Sequence, residues 1–286
     1  MRVIALLLLF TPAVVFSQDA FHITVFGGAA NYSGDLQPKR FTLDQAKAAF
    51  GLGLRYEISS HIALRGGINY ANVGADDKKG TDSFRLRRNL NFQSRILEAN
   101  LMLEYTILDL DYHKFSPYIF AGVAAYQFNP YTYDTSGTKI ELRPLGTEGQ
   151  GLNQYPGRVP YKQRQVAIPF GGGLKLRVTD KVVLAYEIGL RKLFTDYLDD
   201  VSSTYVDRNQ LQALRGPVGV AMAYRGGELK DGNPNYPAAG TVRGGSKYKD
   251  WYYFQGVSII IGLGGNRPNL NKSDGKGRGS VECPVL

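Results

Sequence analysis

The chain has 286 residues, among them 34 Gly, 19 Tyr and 14 Phe but only one Cys and one Trp. A single cysteine excludes a disulfide-stapled scaffold. A helical membrane protein is also excluded, because no stretch after the first seventeen residues approaches the roughly 18 apolar residues of a spanning helix. The formal net charge of +9 comes from basic residues scattered among acidic ones, which gives little support to nucleic-acid binding.

Residues 1–17 form the first predicted segment. They carry a basic start at Arg2, an apolar stretch over Val3–Phe16 and a small residue at Ser17. This pattern is typical of a secretory signal peptide cleaved after Ser17, with a buried N-terminal helix as the alternative. We therefore expect the mature protein in the periplasm, in the outer membrane or outside a bacterial cell.

Eight later stretches alternate apolar and polar residues with a period of two, which predicts antiparallel β-strands. They lie near residues 21–32, 50–58, 62–70, 97–107, 117–128, 166–178, 182–194 and 251–263. Leu54, Leu101, Tyr186 and Ile188 lie on their apolar faces. Pro169 lies inside one stretch and has no backbone N–H, so a local break in strand pairing is expected there.

The connections between these stretches decide the architecture. Three are short: Ser59–His61, Leu108–Ser116 and Thr179–Lys181. Four are long: Ser33–Ala49, Val73–Arg95, Asn129–Arg164 and Thr195–Asp250. Strict alternation, with both termini on the short-turn side, predicts an all-β fold over residues 18–263. That fold is an eight-stranded antiparallel up-and-down transmembrane β-barrel with short periplasmic turns and long extracellular loops. A soluble β-sandwich is the alternative.

Aromatic residues cluster near the predicted strand ends. One group opens the last strand (Trp251, Tyr252, Tyr253, Phe254), and another flanks a short turn (Tyr105, Tyr112, Phe115, Tyr118). Outer-membrane barrels carry girdles of aromatic residues at both membrane interfaces. The two groups therefore predict the two interfaces.

The other face of the predicted strands carries charges of both signs. The basic members are Arg55, Arg65, Lys175, Arg177 and Arg191, and the acidic members are Glu57, Glu98, Glu104 and Glu187. Glycines such as Gly171 and Gly173 on this face are expected to make room for the long basic side chains. An eight-stranded barrel is just wide enough to be filled by its own side chains, and an unpaired buried charge is strongly unfavourable. The sequence therefore predicts an ion-paired plug, with a conducting pore as the alternative.

The sequence offers little support for catalysis and no cofactor motif. All three histidines, His22, His61 and His113, fall at predicted periplasmic strand ends or turns, away from the outer leaflet, where a barrel enzyme of this membrane would place its base. We predict no catalytic, cofactor-binding or metal-binding residue. An acidic group in the fourth long loop leaves one alternative open, a calcium site, against a solvated or hydrogen-bonded loop: Asp196, Asp199, Asp200 and Asp207.

Four strings resemble the PorG family of outer-membrane barrel components of the type IX secretion system in Bacteroidota. They are NYSGDL at 31–36, FSPYIFAGVAAYQFNP at 115–130, LRPLGTEGQGL at 142–152 and TDYLDDVSSTYVD at 195–207. The resemblance implies a non-enzymatic subunit of a machine that exports folded cargo and, in some members, supports gliding motility. It also implies partners in the periplasm: a ring-forming lipoprotein and its soluble partner. The segment 214–249 matches no family motif.

Residues 264–286 form a predicted periplasmic tail, with a basic linker followed by a small apolar cluster. The cluster, Val281–Leu286, contains Pro284 and the single cysteine, Cys283, which has no partner within the chain. An odd thiol in an exported protein indicates a pairing with another chain or a free reactive group, and a buried or reduced thiol is the alternative. We take Cys283 and Pro284 as candidate partner-binding residues.

These observations favour an outer-membrane subunit of the type IX machinery, which ties the membrane to its periplasmic ring. A stand-alone barrel with ligand-binding or adhesive extracellular loops is the second hypothesis. An enzyme that acts on outer-leaflet lipid is the third.

Overall fold

The computed structural model describes residues 20–37, 39 and 41–264. Its strands are β1 (Phe21–Ser33), β2 (Lys47–Glu57), β3 (Ile62–Asp76), β4 (Asn91–Thr106), β5 (Phe115–Tyr133), β6 (Lys139–Glu141), β7 (Arg164–Arg177), β8 (Val182–Leu193) and β9 (Trp251–Gly262). The predicted signal peptide and the tail after Gly264, with Cys283 and Pro284, lie outside the described residues.

Eight strands form one antiparallel sheet in the order β4-β3-β2-β1-β9-β8-β7-β5. Pairing of β4 with β5 joins the two ends of this sheet and closes it into a barrel. The short strand β6 adds a hairpin to the extended end of β5. The predicted eight-stranded antiparallel barrel is confirmed, and each predicted strand overlaps an observed one.

Short and long connections alternate around the barrel as predicted. The short ones are 58–61, 107–114 and 178–181, and the long ones are 34–46, 77–90, 134–163 and 194–250. Strands β3, β4 and β5 contain 15, 16 and 19 residues, which exceeds the roughly 9–11 residues that cross a bilayer as a tilted strand. These three strands therefore extend the wall beyond the membrane on the long-loop side.

The long connections contain helices that the sequence analysis did not predict. Helix α1 covers Ser83–Arg88 and helix α2 covers Arg208–Ala223. Asp207 caps α2 by accepting a hydrogen bond from the backbone N–H of Gln210. Gly216, at φ 70°, interrupts α2 just before Pro217, because proline lacks the N–H and disfavours helical geometry in the preceding residue. Among the described residues, no helix is long and apolar enough to cross a membrane.

The expected break at Pro169 is confirmed on one side of its strand. Pairing of β7 with β5 runs to Ala121 opposite Phe170 and resumes at Ala124 opposite Ala167. Pairing with β8 continues through Pro169 opposite Arg191. The edge toward β5 thus accommodates the missing N–H group.

The outer surface of the barrel is a continuous apolar band. Leu54 and Leu101 expose 56 % and 50 % of their surface, and Tyr186 and Ile188 are also exposed. A closed barrel with large hydrophobic side chains on its outside must be surrounded by lipid, because contact between so large an apolar surface and water would be strongly unfavourable. The chain is therefore a bacterial outer-membrane barrel, and the predicted lipid-facing residues are confirmed.

Both predicted aromatic girdles are partly wrong. Tyr252 and Phe254 in one group, and Tyr118 in the other, are buried inside the barrel, and Tyr253 is buried against the first long connection, where its hydroxyl donates to the backbone oxygen of Thr42. Successive residues of a strand point to opposite faces, so a run of consecutive aromatic residues divides between lipid and lumen. Trp251 and Phe170 pack edge to face, at 6.1 Å between ring centroids, on the lipid side.

Candidate functional site

The periplasmic half of the lumen is organised around the buried carboxylate of Glu104. Arg55 Nε donates to Glu104 Oε1 at 3.0 Å, and Lys175 Nζ donates to the same oxygen. Arg65 Nη1 lies 3.4 Å from Glu104 Oε2 and donates to Glu187 Oε2 at 2.8 Å. These contacts offset much of the desolvation of each charge. The cluster joins five strands: β2, β3, β4, β7 and β8.

The extracellular half of the lumen has a second cluster around Glu98. Its carboxylate accepts hydrogen bonds from Arg191 Nε at 3.0 Å, Tyr252 Oη at 2.7 Å and Asn69 Nδ2 at 2.8 Å. The Arg191 guanidinium also lies 4.1 Å above the ring of Phe254. The aromatic residues that point inward are therefore part of the charged interior.

Four of the five predicted interior cations pair inside the barrel, so the predicted ion-paired plug is confirmed for them. Arg177 differs, because it contacts Asp111 at 2.8 Å and Asp180 at 3.2 Å in the periplasmic turns. The lumen keeps a cavity of about 50 Å³ beside Arg65 and Arg191, far below the roughly 300–1,000 Å³ of a small-molecule site.

Gly171 and Gly173 make room for aromatic rings and for close strand contacts, and not for the basic side chains as expected, whereas a Cβ atom on the inward-facing Gly189 would lie 2.5 Å from Arg191 Nη1. A Cβ atom on Gly173 would lie 3.0 Å from a ring carbon of Tyr118 and 2.0 Å from the backbone oxygen of Tyr186. A Cβ atom on Gly171 would lie 2.9 Å from the ring of Phe120. Any side chain at these positions would displace a ring or the neighbouring strand.

The four long connections fold together into a structure that we call the extracellular cap (residues 34–37, 39, 41–46, 77–90, 134–163 and 194–250). One hydrophobic cluster takes a buried residue from every connection and joins them to the upper barrel: Leu36, Leu90, Leu142, Leu198 and Met222, with Phe92 and Phe128. Shared burial of this kind orders loops that would be mobile alone. The cap is a folded layer that covers the extracellular end of the barrel.

A fully buried carboxylate, Glu148, is the polar centre of the cap. It accepts hydrogen bonds from the backbone N–H of Ser202 at 2.9 Å, from Ser203 Oγ at 2.7 Å and from Arg243 Nη1 at 2.9 Å. Arg243 also donates to the backbone oxygen of Asp200 at 2.7 Å. Glu148 therefore joins the third long connection to two separate parts of the fourth.

A second buried ion pair ties the second long connection into the same layer. Arg88 donates from Nε and Nη2 to the two carboxylate oxygens of Asp77 at 2.8 and 2.9 Å. Its Nη1 donates to the backbone oxygen of Arg243. Bidentate guanidinium–carboxylate pairs combine strength with a fixed geometry, so Arg88 orients the segment that carries Arg243.

Two buried carboxyl groups, Asp199 and Asp250, share one tyrosine hydroxyl. Tyr32 Oη lies 2.5 Å from Asp199 Oδ2 and 3.3 Å from Asp250 Oδ1. Backbone N–H groups of Val201 and Leu198 donate to the remaining oxygens at 2.9 Å each. Burial raises the pKa of both carboxyl groups, and the charge of Asp199 raises that of Asp250 further. Such a pair is most stable when it retains a proton.

The predicted acidic group in the fourth loop does not converge on one point. Asp196 accepts from Ser202 Oγ at 2.8 Å, and Asp200 accepts from Tyr161 Oη at 2.7 Å, while Asp207 caps helix α2. Among the described residues, no group of three or more candidate ligands could hold a metal ion. The hydrogen-bonded alternative is confirmed, and the calcium alternative gains no support.

The three histidines lie at the periplasmic rim, where the sequence analysis placed them. His22 Nε2 lies 3.6 Å from Glu57. His61 Nδ1 lies 2.9 Å from the backbone oxygen of Thr106, and His113 Nδ1 lies 3.1 Å from that of Asp109. The structure does not bring these rings together.

Sequence reasoning missed most of the buried polar residues of the cap. Arg88, Arg243 and Asp250 were not singled out, because each has a hydrogen-bond partner far away along the chain. Arg243 lies 95 positions from Glu148, and Asp250 lies 218 positions from Tyr32. The strings that resemble the PorG family are the one sequence signal that points to these residues, because the strings at 31–36, 142–152 and 195–207 meet in the extracellular cap.

A family model described as Domain of unknown function (DUF6089) matches residues 1–217, which include all four strings. No curated protein matches the chain significantly. Among solved structures, the chain is similar to Neisserial surface protein A, with 10 % identity, a TM-score of 0.41 and coverage of 85 % of this chain and 97 % of that chain. OprG from Pseudomonas aeruginosa has 14 % identity, a TM-score of 0.40 and coverage of 86 % and 99 %. A major outer membrane protein from Thermus thermophilus has 10 % identity, a TM-score of 0.41 and coverage of 85 % and 99 %.

Proposed function

We propose that this chain, which belongs to the DUF6089 family, is a non-enzymatic outer-membrane subunit of the type IX protein secretion machinery. The observation that carries the proposal is the extracellular cap, in which three strings similar to the PorG family pack against one another. They meet through Glu148 with Ser203, and through Tyr32 with Asp199. Because the strings that resemble the PorG family form one buried layer, they support an architecture shared with that family.

The filled lumen supports a role through contact and not through conduction. Interior cations and carboxylates pair across the barrel axis, in a lumen that is only just wide enough for its own side chains. The chain then serves its machine by presenting surfaces on both sides of the membrane. That it is not an enzyme stays a prediction, motivated by the rim positions of the three histidines.

In this proposal the periplasmic ring contacts the tail. The basic linker after Gly264 gives the apolar cluster Val281–Leu286 reach into the periplasm. Cys283 and Pro284 within this cluster are the residues proposed to meet the ring-forming lipoprotein and its soluble partner. Cys283 is further proposed to form an intermolecular disulfide there.

A pull-down from detergent-solubilised outer membranes tests the proposal. The full chain should recover the ring lipoprotein and its soluble partner, and a chain that ends at Gly264 should fold as a barrel but lose both. Cys283→Ser is the matched control, because it removes only the disulfide and should still recover the ring without reductant-sensitive species. Deletion of the gene should block the export of many proteins, and normal export would contradict the proposal.

A stand-alone barrel that binds a ligand through its loops is the second candidate. A cavity of about 290 Å³ on the fourth long connection favours it, with Arg208, Tyr224 and Tyr236 in its lining. Aromatic and arginine side chains are common in recognition sites. A deletion strain that exports cargo normally but loses surface binding would favour this function over secretion.

A further inference from the structure

Basic side chains occupy the outer face of the barrel where strands β4, β7 and β8 approach the extracellular side. We call these four exposed residues the basic arc: Arg95, Lys162, Arg164 and Lys192. Arg164 shares the outward face of Val166, and Lys192 lies between the buried residues Arg191 and Leu193. The arc therefore points away from the lumen and toward the surrounding membrane.

Strand register places two members of the basic arc, Arg95 and Arg164, close together. Arg95 pairs with Asn129 on β5, and Gln127, two residues before Asn129, pairs with Arg164. Adjacent strands lie roughly 4.8 Å apart, so β4 and β7 are about 10 Å apart across β5. Arg164 Nε donates to Gln127 Oε1 at 3.3 Å. Cations and amides thus form one continuous polar patch.

The charges of the basic arc are not neutralised by the protein. In the described part of the chain, none of the four residues forms an ion pair with a carboxylate. The neighbouring hairpin carries Glu141, and Lys139 lies 3.9 Å from it. Arg95 contacts the Tyr131 hydroxyl, which is neutral. The patch keeps a net positive charge at an exposed surface.

The basic arc lies directly above lipid-facing apolar residues. Leu97 and Val166 are exposed next to it on β4 and β7, and Trp251 pairs with Lys192. Strands β1 and β2, on the other side of the barrel, differ, since the outward positions at their extracellular ends include Asn31, which is buried, and Ala48. One side of the barrel thus presents cations at the level of the outer-leaflet headgroups.

We propose that the basic arc binds the phosphorylated headgroup of an outer-leaflet lipid. Guanidinium groups match phosphate oxygens with paired hydrogen bonds, and Arg95 and Arg164 are far enough apart to hold two phosphates of one headgroup. Lys162 and Lys192 add positive charge on either side. The acyl chains of the lipid then pack on the apolar band below.

Binding of a bisphosphorylated lipid A to the purified barrel in detergent, measured by native mass spectrometry, tests this inference. R95Q/K162Q/R164Q/K192Q should weaken binding on the order of 100-fold, because each basic residue near an anionic membrane surface contributes several-fold. K78Q/K79Q/K230Q/K247Q is the matched control, since it removes four exposed lysines of the cap and should bind like the wild type. Heat-modifiable gel mobility verifies folding, and R95Q/R164Q replaces the quadruple variant if that variant does not fold.

Three results would overturn the inference. The arc and control variants would bind lipid A equally, or a dephosphorylated lipid A would bind the wild type as tightly as the phosphorylated form. Inorganic phosphate that displaced the lipid at equal concentration would show that the patch takes a free anion instead. Loss of binding confined to the arc variants and to the phosphorylated lipid is the expected outcome.

Discussion

Replacing Glu104 with glutamine tests whether the charged lumen stabilises the barrel as its geometry implies. Glu104 is fully buried and has three cationic neighbours, Arg55, Arg65 and Lys175. Removing one partner of a buried ion pair leaves an uncompensated charge and typically destabilises by about 3–5 kcal/mol. Glu104→Gln keeps the shape of the side chain, so the loss reports on charge and not on a cavity.

The three cations do not depend equally on Glu104. Arg55 retains Glu57 at 2.6 Å, and Arg65 retains Glu187 at 2.8 Å. In the described structure, Lys175 has no second carboxylate and keeps the hydroxyl of Thr106, at 2.8 Å, and the ring of Tyr118, whose centroid lies 4.8 Å away. Most of the destabilisation in Glu104→Gln should therefore come from the stranded ammonium group of Lys175.

A second substitution isolates that contribution. Adding Lys175→Met to Glu104→Gln removes the stranded charge and should recover more than half of the lost free energy of unfolding, roughly 2–3 kcal/mol. Urea titration of the folded fraction in lipid vesicles, read by gel mobility, gives the free energies. Glu57→Gln is the control, because this carboxylate is partly exposed. The substitution should lower the free energy of unfolding by about 1 kcal/mol or less.

Two results would refute this reasoning. If Glu104→Gln unfolded at the same urea concentration as the wild type, the buried charges would not contribute to stability. If the effects of Glu104→Gln and Lys175→Met added, Lys175 would not be the residue that Glu104 compensates.

Three further predictions concern the wall, the cap and the lumen. Leu101→Arg should destabilise by roughly 2–4 kcal/mol because it places a charge in the lipid, whereas Tyr112→Arg in an exposed periplasmic turn should be neutral in the same urea titration. Because the pKa values of Asp199 and Asp250 are raised on folding, the folded cap binds more protons than the unfolded one and loses stability as pH rises above about 4. Asp250→Asn should weaken the dependence of the unfolding temperature on pH between about pH 5 and pH 8. An unchanged pH dependence would contradict the assignment. Purified barrel in planar bilayers should give no steady conductance at neutral pH, and reproducible single-channel steps would contradict the plug.

The sequence by itself determined the eight strands of the barrel and the face on which most side chains lie. Alternation with a period of two is a local property, so Leu54 and Leu101 were assigned to lipid and Glu98 and Glu104 to the lumen before any contact was known. The same rule divides the aromatic girdles, because Tyr252 and Phe254 point inward where Trp251 points outward. Strict alternation of short and long connections then fixed the orientation of the barrel in its membrane.

Only the tertiary structure decided how the long connections fold and which buried charges meet. Glu148 and Arg243 are 95 positions apart, and no periodicity links them, because such a pair forms only when separate loops are brought together over the barrel. Arg177 has the same pattern of neighbours as the other interior cations, yet nearby turns offer it Asp111 and Asp180. Local patterns specify the direction of a side chain, whereas its partner depends on the packing of distant segments in three dimensions.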